Sequence, residues 1–227
     1  MKTIPVDSEK HIQILKSNQY FDDLPDNLLR EISERMSLYI YQRGEVLLWE
    51  GEACEGLCIL EQGSAKIFRL SPQGRQYIVR ILQEGDTFAE VPAFDGGKSP
   101  VNVEALEVCR VWVINSEMLR GLVLAHPEFS QKVLDNFGKM LRGMVRMVSE
   151  MAFYQVTHRL ARMIQEDLPL EKNIPQWTQE QLAARLGTVR EVVARSLKEL
   201  ERSGAIKIED RRIQIADKEI FRQWVHL

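Results

Sequence analysis

The sequence predicts an α+β chain that begins with a β-roll (a double-stranded β-helix), continues through one long helix and ends in a winged helix-turn-helix. Three observations indicate this fold class. Glycine recurs every 11 residues from Gly63 to Gly96 between short β-type runs, apolar residues recur at helical spacing after Pro127, and Gly187 separates two short helical segments. The expected boundaries are 1–125 for the β-roll with its flanking helices, 126–154 for the long helix and 155–227 for the winged helix-turn-helix.

The composition is that of a globular protein with one large or two small domains, since 44% of the 227 residues are apolar and 28% are charged. No run approaches the roughly 20 apolar residues of a membrane span. The N-terminal residues lack the apolar core of a signal peptide, so we expect a cytoplasmic protein without membrane contact. Cys54, Cys58 and Cys109 are then expected to be reduced thiols.

The net charge of −3 does not by itself indicate a nucleic-acid partner. Its distribution is more informative. From Tyr154 onward there are 13 Lys and Arg against 11 Asp and Glu, a net charge of +2, whereas the preceding residues carry 17 against 22, a net charge of −5. This mild basic bias favours nucleic-acid contact in the C-terminal third.

Short β-type runs separated by turn signals predict an all-β roll or barrel. The predicted strands are 46–49, 57–60, 65–70, 77–82, 101–106 and 108–114. A helix is predicted before them over 26–38, with Leu28, Leu29, Ile32 and Met36 on one face.

The predicted long helix carries apolar residues at alternating spacings of 4 and 3, which is the a/d pattern of a helix that pairs with another helix. The predicted dimer seam is Val133, Phe137, Met140, Met144, Met147 and Met151. A second stripe is predicted to face the β-roll and consists of Leu134, Leu141, Val145 and Val148. A long core helix packed only against its own domain is the alternative.

The segment 178–202 predicts two short helices with a mechanism for each boundary. Thr178 with Gln181, and Thr188 with Glu191, have the spacing of capping boxes. Gly187 between them is suited to the left-handed conformation that ends a helix. The alternating run 205–215 then predicts a β-hairpin wing, and Asp217 is expected to cap a final helix.

The second of these helices, predicted over 189–202, presents a basic and hydrogen-bonding face opposite an apolar one, as a helix in the major groove of DNA requires. Arg190, Glu191 and Arg195 are the predicted base contacts, because arginine pairs with guanine and glutamate accepts from cytosine. The predicted phosphate contacts are Thr178, Thr188, Lys198, Arg202, Arg211 and Arg212. The alternative is a solvated amphipathic helix in a protein-binding module.

The order of β-roll, long helix and winged helix-turn-helix resembles the CRP/FNR family of bacterial transcription regulators over nearly the whole chain. The most specific part is 188–206, which resembles the family recognition helix of members that recognise TGTGA-like half-sites. The resemblance implies a homodimer on double-stranded DNA with a palindromic operator, contact with RNA polymerase, and an effector in a cyclic-nucleotide-binding-like domain.

The residues in place of the family's phosphate-binding cassette are Ala89, Glu90, Ser99 and Pro100. The family arginine that would neutralise a cyclic phosphate is missing, and Lys98 is the nearest cation along the chain. Since a buried phosphate needs a fixed cation or converging amides, cyclic AMP is not the expected effector.

Two other sensing branches of the family bear on the effector. An iron–sulfur cluster is not expected, because no cysteine precedes Cys54. The run 65–82 and the following TFAE resemble the nitric-oxide-responsive branch, which senses through haem, and His11 is a conceivable axial ligand. The alternative for His11 is an ordinary solvent-exposed histidine. The four histidines form no spaced cluster, so no metal site is predicted.

The sequence therefore predicts a homodimeric, sequence-specific DNA-binding regulator, not an enzyme, controlled by an unidentified effector in the β-roll. The alternatives are an effector-independent regulator of the same fold and a haem-based gas sensor of the same family. An enzyme or protein-interaction module built on a β-roll is the alternative from another class.

Overall fold

The computed structural model describes residues 8–167, 178–209 and 212–226, and the chain packs as two compact units. Unit 1 runs to Arg69 and resumes from Val79 to Leu141. Unit 2 consists of Leu70–Ile78 and the chain from Arg142 onward.

Helices flank the β-strands of unit 1. Its elements are α1 (Ser8–Lys16), α2 (Asp26–Ser33), β1 (Met36–Tyr41), β2 (Val46–Leu48), β3 (Gly56–Gln62), β4 (Ala65–Leu70), β5 (Gln76–Leu82), β6 (Thr87–Phe88), α3 (Glu90–Asp95), β7 (Asn102–Ala105), β8 (Cys109–Asn115), α4 (Ser116–Ala125) and the first half of α5 (Pro127–Phe153). The end of β4 and the start of β5 belong to unit 2.

The strands form two four-stranded sheets in the orders β1-β8-β3-β6 and β2-β7-β4-β5. In the first sheet, β8 pairs antiparallel with both β1 and β3, so that Trp112 lies opposite Leu38 on one side and Ile59 on the other. In the second sheet, β7 pairs antiparallel with β2 and β4. The predicted β-roll is confirmed.

Side chains of β8 alternate between two cores, because successive residues of a strand point to opposite faces. Trp112 and Ile114 join the core beneath α1, α2, α4 and the start of α5. Val111 and Val113 join the core that also holds Leu60 and residues of the second sheet. Both faces of this strand are therefore buried, which explains its nearly continuous apolar sequence.

The helix predicted over 26–38 is too long. The helix α2 ends at Ser33, and Met36 begins β1. Leu38 is buried and pairs with Trp112 across the sheet. Tertiary pairing with β8 therefore overrides the helical periodicity of this segment.

Unit 2 contains the predicted helix-turn-helix and wing. Its elements are α6 (Val156–Asp167), α7 (Gln179–Leu186), α8 (Arg190–Arg202), β9 (Ile206–Glu209), β10 (Arg212–Ile215) and α9 (Lys218–His226). Asp217 caps α9, since its Oδ1 accepts the amides of Glu219 at 2.8 Å and Ile220 at 3.0 Å. The polar connection predicted between α6 and α7 falls largely outside the described residues.

No helix in the described ranges is sufficiently long and apolar to span a bilayer.

Candidate functional site

The boundary residues of α7 behave as the sequence predicts. The Thr178 hydroxyl accepts the Gln181 amide at 3.2 Å, and the Gln181 side chain accepts the Thr178 amide at 2.8 Å, so the first capping box is confirmed. Gly187 ends α7 in the left-handed conformation with φ of 64°.

The second predicted capping box, Thr188 with Glu191, is wrong. The N-cap of α8 is Val189, and no side chain accepts the first amides of this helix. The Thr188 amide donates to the carbonyl of Ala183 at 3.0 Å and so closes the turn after α7. The helix consequently begins at Arg190, one residue later than predicted.

One face of α8 is exposed and the other is buried. Arg190, Glu191 and Arg195 are exposed, as are Lys198 and Arg202. The opposite face is buried in the core of unit 2 through Val193, Leu197 and Leu200. Within the described part of the chain, the side chains of Arg190, Glu191 and Arg195 make no hydrogen bond or ion pair. Their donors and acceptors are therefore available to base edges.

Buried polar contacts with α6 fix both helices of the pair. The Thr157 hydroxyl lies 3.0 Å from Ser196 Oγ and 2.8 Å from Glu199 Oε2, both on α8. Arg159 donates from Nη1 to the carbonyl of Leu186 at 3.0 Å, at the end of α7 where a helix leaves carbonyls without partners. These contacts keep the exposed face of α8 in a defined orientation on its own domain.

Tyr77 is a residue of this site that sequence reasoning missed. It lies in the part of β5 that belongs to unit 2, and its hydroxyl is 3.1 Å from the sulfur of Met147. A Cβ at Gly187 would lie 3.3 Å from the Tyr77 ring. Glycine at 187 therefore serves both the positive φ and the close approach of an aromatic ring. No local sequence signal links positions 77 and 187, which are distant along the chain.

The predicted wing is formed by β9 and β10, which pair antiparallel with Arg212 opposite Glu209. Arg212 is exposed, as a phosphate contact requires. Arg211, the other predicted phosphate contact of the wing, lies outside the described residues.

At its first seam positions, α5 turns the predicted dimer-facing side toward the core of its own unit. Val133 is buried in the core of its own unit, and Phe137 packs against the same core with its ring 6.0 Å from that of Phe94. Val133 is therefore not accessible to a dimer seam, and the chain's own aromatic cluster partly covers Phe137. The methionine seam also has partners inside unit 2, where Met147 contacts Tyr77 and the Met151 methyl lies near Gly187. Met140 is half-buried and Met144 is exposed.

The exposed apolar stripe of α5 is the one that the sequence analysis assigned to the β-roll. Leu134, Leu141, Val145 and Val148 are each about 60% exposed (66%, 63%, 59% and 62%). With Gly138 and Ala152 they repeat at spacings of 4, 3, 4, 3 and 4, which is the same a/d pattern shifted by one residue. Both stripes have the correct period, and only packing against the β-roll distinguishes them.

The buried predicted effector residues of unit 1 form hydrogen bonds with near neighbours in the chain. Glu90 is buried and accepts a hydrogen bond from the Thr87 hydroxyl at 2.6 Å. Ser99 is buried, and its hydroxyl donates to the carbonyl of Val101 at 2.7 Å. Pro100 is exposed. Among the described residues, no hydrogen bond or ion pair joins Glu90 to Ser99.

Cations of the β-roll are engaged with carboxylates. Arg69 pairs with Glu50 and Arg80 pairs with Asp86. Lys98, the nearest cation along the chain to Ser99, is exposed and forms a backbone bridge with Ala53. This part of unit 1 thus offers a buried carboxylate at Glu90, while Arg69 and Arg80 are each paired with another carboxylate.

Ala89 adopts a conformation that favours glycine. Its φ is 64°, and it is the single non-glycine residue with positive φ in the described ranges. It precedes α3 and so positions Glu90 as the first residue of that helix. The left-handed conformation costs an L-residue about 1–2 kcal/mol, so this turn is strained at the predicted effector site.

Replacing Ala89 with glycine is expected to raise the free energy of unfolding by about 1 kcal/mol, because relief of the left-handed strain exceeds the entropic cost of glycine. Urea unfolding of the full chain measures this through the midpoint. Ala93→Gly is the matched control. It lies inside α3 and is buried, so it should lower stability by about 1 kcal/mol. A lower urea midpoint for Ala89→Gly would contradict the strain assigned to this turn.

His11 is buried, so the expectation of an ordinary solvent-exposed histidine is wrong. Its Nδ1 lies 3.0 Å from the carbonyl oxygen of Ser33, and its ring packs edge-on against Trp112 at 4.3 Å. It thus ties α1 to α2 and β8. Across the parts of the chain that the structure describes, no group of three or more His, Cys, Asp or Glu side chains is arranged to hold a metal ion.

The geometry defines a class of protein: a DNA-binding regulator in which a β-roll domain precedes a long helix and a winged helix-turn-helix. Comparison with protein families agrees with this class. Residues 40–126 match the model of the cyclic nucleotide-binding domain, and residues 155–224 match that of the Crp-like helix-turn-helix domain. The chain belongs to the CRP/FNR family of bacterial transcription regulators, which are not enzymes.

Individual relatives cover most of the chain. It is 26% identical over 216 residues to a CRP-like cAMP-activated global transcriptional regulator of Mycobacterium tuberculosis, covering 91% of this chain and 96% of the relative. It is 28% identical over 179 residues to the cAMP-activated regulator Vfr of Pseudomonas aeruginosa, covering 74% and 84%. A crystal structure of a CRP/FNR-family regulator from Eubacterium rectale shares the fold with a TM-score of 0.77 at 20% identity, covering 92% of this chain and 100% of the other.

Proposed function

We propose that two copies of the chain, joined along α5, place their α8 helices in successive major grooves of a palindromic operator. One observation carries this proposal. Arg190, Glu191 and Arg195 are exposed on one face of a helix whose opposite face is buried, and their side chains have no partner among the described residues. A two-fold dimer would set the half-sites one helical turn apart, about 34 Å.

The side chains of this surface divide into two roles. Arg190 and Arg195 are proposed to pair with guanines, and Glu191 to accept from a cytosine amino group, so that these three determine sequence. The proposed phosphate contacts hold the register of the helix without determining sequence. They are Thr178, Thr188, Lys198, Arg202, Arg211 and Arg212. The Thr178 hydroxyl accepts the Gln181 amide, which leaves its own proton for a phosphate oxygen.

Selection of bound duplexes from a random DNA library tests the proposal. At physiological salt, the purified full chain should enrich inverted repeats whose centres are about 34 Å apart, with TGTGA-like half-sites. Enrichment of single, unrepeated sites would contradict the two-fold arrangement. Full-strength binding without ligand would favour an effector-independent regulator, and RNA polymerase remains a proposed partner in either case.

For the effector, we propose a ligand that donates hydrogen bonds to Glu90 and carries no phosphate. An ionised carboxylate only accepts hydrogen bonds, so it selects a donor. The relatives from Mycobacterium tuberculosis and Pseudomonas aeruginosa are named as cAMP-activated. In this chain the Ser99 hydroxyl is committed to Val101, and Arg69 and Arg80 are paired with carboxylates. A buried phosphate would therefore lack a fixed cation.

Cyclic AMP at about 1 mM is accordingly expected not to bind and to leave the melting temperature of the full chain unchanged. A ligand that does bind would raise it, since at 100 times its Kd a ligand adds about 2.7 kcal/mol to stability. Differential scanning calorimetry of the chain with and without cyclic AMP measures this. Cyclic GMP at the same concentration controls for non-specific nucleotide effects. A rise with cyclic AMP that disappears in Glu90→Gln would overturn the proposal.

The route from effector to DNA is proposed to pass along β5. This strand is continuous from Tyr77, beside the turn at Gly187, through Ile78 into Val79 of unit 1. A ligand can shift the position of this strand only through unequal affinity for two states of the dimer.

A further inference from the structure

Two thiols meet at the beginning of β3. Cys54 precedes the strand and is half-buried, whereas Cys58 lies within it and is buried. Both sulfurs face the carbonyl oxygen of Gly56, at 2.7 Å from Cys54 Sγ and 3.7 Å from Cys58 Sγ. Both sulfurs thus lie at one carbonyl oxygen, and each thiol shifts the pKa of the other.

The backbone between the two cysteines is held in place by its neighbours. A Cβ at Gly56 would lie only 1.8 Å from the carbonyl oxygen of Ile114 on β8, so only glycine fits there. A bend at Glu55 turns the chain immediately before the strand. The Gly56 amide points at Cys54 Sγ from 3.3 Å and can donate to a thiolate. The proximity of the two sulfurs thus follows from the packing of β3 on β8.

The two thiols are chemically unequal. The hydrogen bond from Cys58 lowers the pKa of Cys54, and this effect outweighs the opposing burial and the nearby carboxylates of Glu55 and Glu90. The same hydrogen bond, together with burial, raises the pKa of Cys58. The more exposed sulfur is therefore the better source of thiolate, and the thiolate is the nucleophilic form.

Cys109 lacks these features. Its sulfur lies 3.2 Å from the carbonyl oxygen of Ser64, and burial raises its pKa. It is a structural thiol of the β-roll core.

We propose that Cys54 and Cys58 form a peroxide-reactive dithiol site that closes to a disulfide within one chain. The Cys54 thiolate attacks the O–O bond of a hydroperoxide, giving Cys54 sulfenic acid and releasing water or an alcohol once the leaving oxygen is protonated. Cys58 sulfur then attacks Cys54 sulfur, the S–O bond breaks, and the leaving hydroxide takes up the Cys58 proton as water. Two thiols are oxidised and one peroxide is reduced.

The site lies beside the predicted effector residues. Cys58 pairs with Phe88 across β3 and β6, and the carboxylate of Glu90 acts electrostatically on both thiols. A disulfide requires its Cα atoms to lie about 4.4–6.8 Å apart, so forming one would constrain the backbone between Cys54 and Cys58 at the start of β3. Oxidation would therefore act on the same part of unit 1 as an effector at Glu90.

Thiol mapping of the full chain tests the proposal. The protein is treated with hydrogen peroxide, alkylated with iodoacetamide and digested with trypsin. Cys54 and Cys58 share the peptide 44–66, whereas Cys109 lies in 99–110. Peptide 44–66 should lose two hydrogens and both alkylation sites, while 99–110 should remain fully alkylated. Reduction before alkylation should restore both sites.

Single variants separate the two roles. Cys58→Ser should stop at the sulfenic acid, which dimedone labels at Cys54, and Cys54→Ser should give neither disulfide nor label. Cys109→Ser is the matched control and should behave as the wild type. Complete alkylation of 44–66 after peroxide in the wild type, or oxidation of Cys109 as fast as that of Cys54, would overturn the proposal without reference to any variant.

Discussion

Replacing Val145 with glutamate is expected to weaken dimerisation at least about 100-fold if two chains pair along the exposed apolar stripe of α5. Each dimer would then bury two unpaired carboxylates at the centre of that stripe. Val145 belongs to the exposed stripe of α5 and has no role in the core of its own unit. The variant chain should therefore remain folded as a monomer. Sedimentation equilibrium at several protein concentrations measures the dissociation constant, and circular dichroism checks the fold.

The control for this experiment is Leu124→Glu. Leu124 lies on α4 and is 88% exposed, so the same charge is introduced at an exposed apolar position away from the seam. Met144→Glu provides the decisive comparison, since Met144 belongs to the seam that the sequence predicts. Dissociation by Met144→Glu but not by Val145→Glu would restore the methionine seam and reject the stripe seen in the structure.

Replacing Arg195 with alanine is expected to cost about 1–3 kcal/mol of operator affinity per half-site, or about 5- to 150-fold. The loss should be concentrated at one base pair of each half-site, because a bidentate arginine–guanine pair would be removed. Arg195 is exposed and its side chain has no partner in the described ranges, so the fold should be unaffected. Fluorescence anisotropy with operator duplexes substituted at each position measures the effect.

Lys198→Ala is the matched control on the same helix. Lys198 is proposed to neutralise a phosphate, so it should contribute equally on every sequence. Its removal should reduce the slope of log K against log salt by about one unit for each phosphate that is no longer neutralised. A loss that is equal on all sequences for Arg195→Ala would instead make Arg195 a phosphate contact. Unchanged DNA binding in both Arg190→Ala and Arg195→Ala would favour the protein-interaction module.

Local signals were sufficient where a residue acts on its immediate neighbours. The capping box of Thr178, the left-handed Gly187 and the Asp217 cap all follow from interactions within a few residues. The second capping box failed although its spacing is the same as that of the first. There the amide of Thr188 is taken by Ala183 of the preceding helix, so the turn determines where α8 begins.

Long-range contacts account for the elements that were missed. The strand β1 was predicted as part of a helix because Leu28, Leu29, Ile32 and Met36 share a helical period. Its pairing with β8 comes from residues 68 to 78 positions away. The same limit applies to Tyr77 beside Gly187, where the fold determines which side chains meet.

The order of domains, the family and the polar face of the helix at Arg190, Glu191 and Arg195 are already evident in the amino-acid sequence. These features depend on periodicity, capping and charge, which are local properties of the chain. Which apolar stripe of α5 is exposed, by contrast, is evident only in the folded molecule. The two stripes differ by one residue and share one period, so their roles depend on which one the β-roll covers: it buries Val133 and leaves Leu134 exposed.

Which polar groups near the predicted effector site already have partners is also decided by the fold alone. The Ser99 hydroxyl and the arginines Arg69 and Arg80 are already engaged with partners inside unit 1. Their spacing along the chain does not reveal this, because hydrogen bonds and ion pairs join groups that only folding brings together.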